Sequence, residues 1–370
     1  MKKVITPVGA SLFSNYMDEH DDITSYYEMF EKAPLDKWES YAPHIEAVKD
    51  AVLPWAEENE KASAEIKSLT KILEREKGDL EVCLIATETV VSRLAAEILK
   101  NILDGIRNKH GNRLTIHFNP DQDIIAGLQV ENQHYFEKKG IVGLINRLFD
   151  IISGYPDNVL LNITGGYKAT IPYLTIMGQI NNIPLCYIFE ETEGLITIPQ
   201  APIDINWELF NQYWKDFALL YDKDVVEYSK LDYHFKADCL SCLETVDNLI
   251  SLNSLGKMLW ETYRFKYFLF YCPDDVWNEI QQQSHICEIL QNKFFDLKKR
   301  DNKTEIKNGH VVYDDGNNPY RIYYFKEDSK IYVYKTFEDH RASDSFIRQS
   351  FDKENIKNNS CVRKLEVIHV

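Results

Sequence analysis

Residues 159–191, VLLNITGGYKATIPYLTIMGQINNIPLCYIFEE, constrain this chain more than any other stretch. Residues 159–163 form a short apolar run of buried-strand type. Thr164, Gly165, Gly166, Tyr167 and Lys168 make a glycine-bearing turn, and 169–180 has the length of a helix. Pro172 falls near the first turn of that helix, where its missing N–H costs nothing. Residues 185–189 read as a second buried strand, so the whole is a βαβ unit feeding a parallel sheet. Paired glycines let a backbone approach a ligand closely, and a helix start offers N–H groups and partial positive charge. Lys168 adds a full charge there, which suits a phosphate. TGGYK is neither a P-loop nor a G-x-G-x-x-G fingerprint. On spacing alone an ordinary βα turn with a surface lysine is favoured, so the rest of the chain must decide.

Upstream, residues 3–9 open as a strand running into a turn. Ser11 and Asn15 follow as capping or phosphate-contacting residues. About sixty residues of acidic helical sequence come next, with Ile66, Leu69 and Leu73 as a helical stripe stopped at Gly78. Residues 80–86 are the next buried strand, with Thr87, Glu88 and Thr89 at its C-terminal end. A helix over 90–108, a strand over 114–118 and an amphipathic helix over 140–153 complete the alternation. Such alternation predicts a doubly wound α/β domain with ligand loops at the strands' C-terminal ends. Ser11, Asn15, Thr87 and the TGGYK turn all fall at such ends. Residues 129–136 read equally as a plain loop or as a source of polar and aromatic contacts.

The length, 370 residues, suits two or three domains. A net charge of −16 argues against a general nucleic-acid coat. The balance is uneven: residues 281–370 carry 16 Lys and Arg against 14 Asp and Glu, leaving −18 on the remainder. No stretch approaches a spanning helix and the start lacks an apolar signal-peptide region, so a soluble, cytoplasmic protein with no membrane partner is expected. Seven scattered cysteines fit reduced thiols. Cys239 and Cys242, with only His234 nearby, read as incidental on a helix rather than as a zinc site.

A first strand followed by Gly9-Ala10-Ser11-Leu12, and a late Asn162-x-Thr164-Gly165-Gly166-Tyr167-Lys168 entering a helix, resemble a CARF domain, the sensor module of type III CRISPR ancillary proteins. The resemblance covers about the first 200 residues. It implies a Rossmann-like homodimer binding a cyclic oligoadenylate across the two-fold axis, with cyclic tetra-adenylate the first ring size to test. It places Ser11, Asn15, Thr87, Thr164, Gly165, Gly166, Tyr167 and Lys168 around that ligand. The acidic insertion after Asn15 departs from the pattern.

Residues 204–280 read as helical and aromatic-rich, a connector whose LGKMLW stretch (255–260) resembles that of several CARF relatives. A winged-helix DNA reader is the other reading of it, but this acidic segment offers little phosphate-binding charge. Then come an amphipathic helix over 285–300, strands near 304–306, 311–313, 320–325 and 330–337 joined by Asp/Asn/Gly turns, a polar helix over 343–352 and a last strand near 362–367. This order and the PYRIYY strand (319–324) are similar to RelE-family mRNA interferases. The resemblance implies metal-free, cofactor-free cleavage of mRNA in the ribosomal A site, with the RNA 2′-hydroxyl attacking the adjacent phosphate. It places Arg321, His340 and Arg341 at the catalytic site. Arg321 and Arg341 suit phosphate, and His340 suits acid or base work. Lysines carried by some relatives on the preceding strand are absent here, where Val312, Tyr313 and Asp314 stand, and the late tyrosine is replaced; His310, Tyr313 or Arg348 are substitutes to consider.

The expected architecture is therefore α/β: a Rossmann-like CARF sensor (1–203), a helical connector (204–283) and a small α+β RelE-like domain (284–370). Ribosome and mRNA are the expected partners beside the cyclic oligoadenylate. Two alternatives stand. One is a metal-dependent nuclease in which Glu305-x-Lys307 joins Asp274 or Asp296 around Mg²⁺. The other is a non-enzymatic sensor that binds DNA or a protein partner.

Overall fold

A computed structural model describes residues 1–129, 132–152, 156–189, 194–316, 318–327 and 330–368. The chain forms two compact units. Unit 1 comprises Met1–Trp207, Val225–Lys230 and Lys236–Met258; unit 2 comprises Glu208–Asp224, Leu231–Phe235 and Leu259–Val370.

Unit 1 is built on β1 (Lys2–Pro7), β2 (Leu80–Thr87), β3 (Leu114–His117), β4 (Ile124–Ile125), β5 (Val159–Asn162), β6 (Leu185–Ile188) and β7 (Leu195–Ile198). Their order is β3-β2-β1-β5-β6-β7, with β4 beside β2. β1 pairs in parallel with both β2 and β5, placing Val4 opposite Val82 and Ile5 opposite Leu161. All four β5 side chains are buried, as expected of a strand covered on both faces. The chain winds outward through β2 and β3 on one side of β1 and through β5 and β6 on the other. The order thus reverses between β1 and β5, and open α/β sheets bind ligands beyond the strands' C-terminal ends at such a reversal.

Two capped helices lead toward that point. Ser63 Oγ accepts from Ile66 N–H at 3.1 Å to start Ala64–Arg75, which buries Ile66, Leu69, Ile72 and Leu73. Thr89 Oγ accepts from Ser92 N–H at 3.2 Å to start Val90–Leu103. The acidic insertion folds onto the same core, adding Phe30 from Thr24–Phe30 and Ile45, Val48 and Val52 from Ala42–Glu57. The helix after β5 begins later than expected: Lys168–Thr170 form a 3₁₀ turn and Ile171–Ile180 the helix, with Pro172 in its first turn. Antiparallel β7 caps the sheet edge beside β6.

The segment expected to be a helical connector, 204–283, departs from that expectation. Trp207–Lys223 is helical with a kink at Tyr213, but β8 (Val226–Glu227), β9 (Leu243–Val246) and β10 (Leu249–Leu252) form an antiparallel sheet in unit 1, and β11 (Tyr267–Pro273) belongs to the unit 2 sheet. β9 and β10 are joined by a tight Asp247-Asn248 turn with Asp247 at φ 54°, the positive φ that hairpin turns require. Cys239 and Cys242 are buried free thiols at a short 3₁₀ turn, Leu240–Cys242, rather than on one helix.

Unit 2 carries β11, β12 (Thr304–Lys307), β13 (His310–Asp314), β14 (Arg321–Glu327), β15 (Lys330–Phe337) and β16 (Ser360–Glu366), in the order β12-β13-β14-β15-β11-β16. β12 to β15 form the expected meander. β11 is parallel to β15 and antiparallel to β16. Helices Asp274–Gln282 and Ser284–Ile289 and the π-helical turn Leu290–Phe294 cover one face, burying Phe270, Val276, Ile280, Leu290 and Phe294 with Tyr313, Ile322, Tyr324 and Val333. Helices His340–Phe346 and Lys353–Asn359 cover the other, over Val312, Tyr323, Phe325, Tyr332 and Tyr334. The single helix expected over 285–300 is thus broken into shorter pieces, and the polar helix of 343–352 lies earlier, at His340–Phe346.

Candidate functional sites

In unit 1 the β1 and β5 turns meet. A Cβ on Gly9 would lie 3.0 Å from the Gly166 nitrogen, and one on Gly166, at φ +88°, would collide with Pro7. A side chain is excluded at both glycines by backbone packing and conformation. Gly165 has a different reason. A Cβ there would collide with Glu65, whose carboxylate accepts from Gly9 N–H at 2.8 Å and from Ser11 Oγ at 3.4 Å. Glu65 is 1% exposed. The chain's own carboxylate therefore sits where the two turns converge, a residue the sequence reading passed over. Its signal was an acidic residue in the first turn of a helix whose apolar stripe is otherwise continuous.

Several expected ligand residues spend their polar groups internally. Ser11 Oγ also accepts from Ala64 N–H at 3.2 Å. Asn15 Nδ2 donates to the Ala62 carbonyl at 3.1 Å. Thr87 Oγ1 lies 2.9 Å from Thr89 Oγ1, and Thr87 N–H donates to Ser92 Oγ at 3.0 Å. Thr164 Oγ1 donates to Asn162 Oδ1 at 2.8 Å and accepts from Ile188 N–H at 3.1 Å, fastening β5 to β6. Tyr167 is half-buried, edge-on to Phe136 with centroids 5.5 Å apart, and Lys168 is exposed at the head of its 3₁₀ turn. Gly165, Gly166, Tyr167 and Lys168 thus form the outward rim, while Ser11, Asn15, Thr87 and Thr164 build the wall behind it. In the 129–136 stretch, residues 130 and 131 lie outside the described residues; Gln133–Tyr135 is a helical turn.

In unit 2, Arg321 and His340 come together. Arg321, 4% exposed, makes an ion pair with Asp314 at 2.9 Å and donates from Nη1 to the Asn318 and Tyr320 carbonyls, each at 2.7 Å. Its Nη2 lies 3.2 Å from His340 Nε2. A guanidinium only donates, so that contact makes His340 Nε2 the acceptor and puts the imidazole proton on Nδ1, 3.4 Å from Asp344 Oδ2. The exposed ring is a base at Nε2, oriented by a carboxylate behind it. Arg341 follows, exposed, its backbone N–H capped by Asp339 at 2.7 Å. Lys307 on neighbouring β12 brings another cation, 2.8 Å from Glu305 and 3.5 Å from Asp314. The hydrogen bond it donates to Glu305 raises the Lys307 pKa above its usual value and keeps it charged. The arrangement offers a base, fixed cations for a phosphate and a carboxylate-held guanidinium.

The substitutes considered for the missing tyrosine are placed elsewhere. His310 is 1% exposed, its Nε2 donating to the Gln349 carbonyl at 2.7 Å and its Nδ1 accepting from Tyr334 Oη at 2.8 Å. Tyr313 is buried under Phe294, where desolvation raises its pKa above the usual value. Arg348 is exposed beyond the end of helix His340–Phe346. Of the acids of the metal-nuclease reading, Asp274 and Glu305 stand at well-separated strands of the sheet. Asp274 follows β11 and pairs with Arg363, Glu305 lies on edge strand β12 with three strands between, and Asp296 accepts from Lys299 N–H at 2.9 Å. Among the described residues no group of three or more His, Cys, Asp or Glu could hold a metal ion, and no helix is long and apolar enough to cross a membrane.

Residues 60–201 match the CRISPR-associated protein family Cas_APE2256. The span runs from just ahead of helix Ala64–Arg75 to just past β7, holding Glu65, Thr87 and the Thr164 to Lys168 turn, and lies within unit 1. Among solved structures the chain is similar to Can2 from Sulfobacillus thermosulfidooxidans in complex with cyclic tetra-adenylate (cA4), at 10% identity over 92% of this chain and 78% of that one, with a TM-score of 0.24. No curated protein matches the sequence.

Proposed function

We propose that this chain is an effector of type III CRISPR defence, a homodimer whose unit 1 binds a cyclic oligoadenylate and whose unit 2 cuts ribosome-bound mRNA. The observation that carries the sensor half is the meeting of the β1 and β5 turns where the strand order reverses, with Lys168 exposed at the rim. The family match over the same part of unit 1 supports it. A ring of adenylates presents phosphates and bases together, and two copies related by a two-fold axis would offer it matching halves. Cyclic tetra-adenylate is the ring to try first.

The nuclease half rests on Arg321 beside His340. In the proposed step, His340 Nε2 takes the proton of the RNA 2′-hydroxyl as its oxygen attacks the adjacent phosphorus. Arg321, Arg341 and Lys307 hold the phosphorane's charge, and the bond to the leaving 5′-oxygen breaks as that oxygen takes a proton from water. The products are a 2′,3′-cyclic phosphate and a 5′-hydroxyl. Incubating the protein with translating ribosomes, with and without cyclic tetra-adenylate, tests both halves. Ligand-stimulated cuts with those ends, insensitive to EDTA, are expected; 5′-phosphate ends, or no cutting with ligand bound, overturn the nuclease reading. Light scattering at micromolar protein gives a dimer mass on this proposal, and a monomer mass counts against it.

A further inference from the structure

A second recess in unit 2 is not used by the proposed chemistry. It lies between the helical segment Ser284–Ile289, continued by Leu290–Phe294, and the turn joining β13 to β14, and measures about 160 Å³. That is well below the roughly 300–1,000 Å³ of pockets that enclose a whole small molecule, so it seats one ring system. His285, Glu288 and Asn292 line it from one helix face, three and four residues apart. Tyr320 lines it opposite, stacked on His285 with centroids 4.9 Å apart and planes 25° from parallel.

Two polar groups in this recess are unspent. Asn292 Oδ1 is buried without a hydrogen-bond partner, and among the described residues Glu288 makes no ion pair. The nearby cation, Lys293, is already paired with Asp315. Both unspent groups accept and neither donates, so they demand a ligand edge that presents donors. An aromatic pair beside that edge demands a flat ring. Single-stranded RNA is read in this way, by stacking on aromatic rings and hydrogen-bonding at the Watson–Crick edge. Of the four bases, guanine alone places two adjacent donors, N1–H and the exocyclic amine, where a carboxylate can accept from both. Adenine, cytosine and uracil set an acceptor beside each donor, facing the carboxylate with like polarity.

We propose that this recess is a guanine subsite of an RNA substrate, stacked at Tyr320 and His285 and read by Glu288 and Asn292. It rests on the proposed ribonuclease reading for its biological use, but not for its binding chemistry. The recess is also tied to the cation cluster: the Asn318 and Tyr320 carbonyls that border it both accept from Arg321 Nη1. A base seated there sets the neighbouring phosphate beside the Arg321–His340 pair.

The test uses the full chain and an uncleavable probe, a hexauridylate with one central guanine and 2′-O-methyl groups throughout, titrated by calorimetry. Replacing guanine with adenine should weaken binding about tenfold or more, and inosine, which lacks the exocyclic amine, should fall between. Glu288→Gln, at an exposed position, should erase the preference while the protein melts as before. Tyr320→Ala should weaken binding of every probe about tenfold. Equal binding of all probes, or a guanine preference that survives Glu288→Gln, overturns the subsite. Guanine preference without any ribosome-dependent cutting upholds the subsite and overturns the nuclease reading instead.

Discussion

The crevice between β1 and β5 in unit 1 and the recess beside Tyr320 in unit 2 differ in what they leave unsatisfied. In the crevice a buried carboxylate, Glu65, answers Gly9 N–H and Ser11, while Asn15, Thr87 and Thr164 bond to the chain itself. In the recess Asn292 keeps an unpaired buried oxygen, and among the described residues Glu288 makes no ion pair. A motif rich in polar residues can thus be mostly scaffold, and a stretch with no motif can hold the unspent hydrogen-bonding capacity that a ligand uses. The Arg321 cluster lies between these extremes, with a guanidinium held by Asp314 and two carbonyls and an exposed imidazole.

The largest effect that could break this contrast is at Arg321. Its removal takes from Asp314 its nearest cation, leaving Lys307 at 3.5 Å, and takes a donor from two carbonyls, so Arg321→Ala should cost about 3–5 kcal/mol of stability in urea denaturation. A loss under about 1 kcal/mol would show the guanidinium to be a dispensable partner, free for substrate alone. His340→Gln should act oppositely. Single-turnover cutting of ribosome-bound mRNA should fall about a hundredfold, with stability within about 0.5 kcal/mol of the parent; unchanged cutting would remove His340 from the chemistry.

At the crevice, Gly165→Ala pushes against Glu65 and should destabilise by about 1–3 kcal/mol. Because the clash is with that one side chain, the loss should shrink in a Glu65→Ala background. A double-mutant cycle with additive losses would mean that Glu65 is not what Gly165 accommodates. The smallest effect belongs to the rim: Lys168→Ala should weaken cyclic tetra-adenylate binding about tenfold by calorimetry, the order of one hydrogen bond to a charged group. Undiminished affinity would move the ligand away from this turn.

Much of unit 1 was legible because parallel strands covered on both faces are continuous apolar runs, as in Val159-Leu160-Leu161, and their period survives any tertiary detail. The meander of unit 2 was legible from its turns. What escaped were elements whose signals were outweighed by their surroundings. Tyr267-Phe268-Leu269-Phe270-Tyr271-Cys272-Pro273 alternates buried and half-buried and ends on proline, a strand pattern lost inside an aromatic-rich region that read as helix. Glu65 escaped because burial of a carboxylate is decided by residues 56 and 100 positions away, Gly9 and Gly165, and no local pattern encodes them. The same holds for Lys307, whose place beside Asp314 follows from strand pairing. Arg321 and His340 were named as site residues through a family resemblance alone, and what the fold adds is their contact at 3.2 Å.

The placement of β11 has a consequence for how unit 2 assembles. That strand lies between β15 and β16 in the sheet, yet its β16 partners are about ninety residues further along the chain. Closing so long a loop before the central pairing forms is the kind of step that slows folding. Until it closes, β15 and β16 each present an open edge to other chains, the usual start of aggregation. A fragment beginning at residue 284, where the sequence alone would have cut, lacks this strand altogether. It should collect as insoluble aggregate, whereas one beginning ahead of residue 259 retains the strand that joins the two edges.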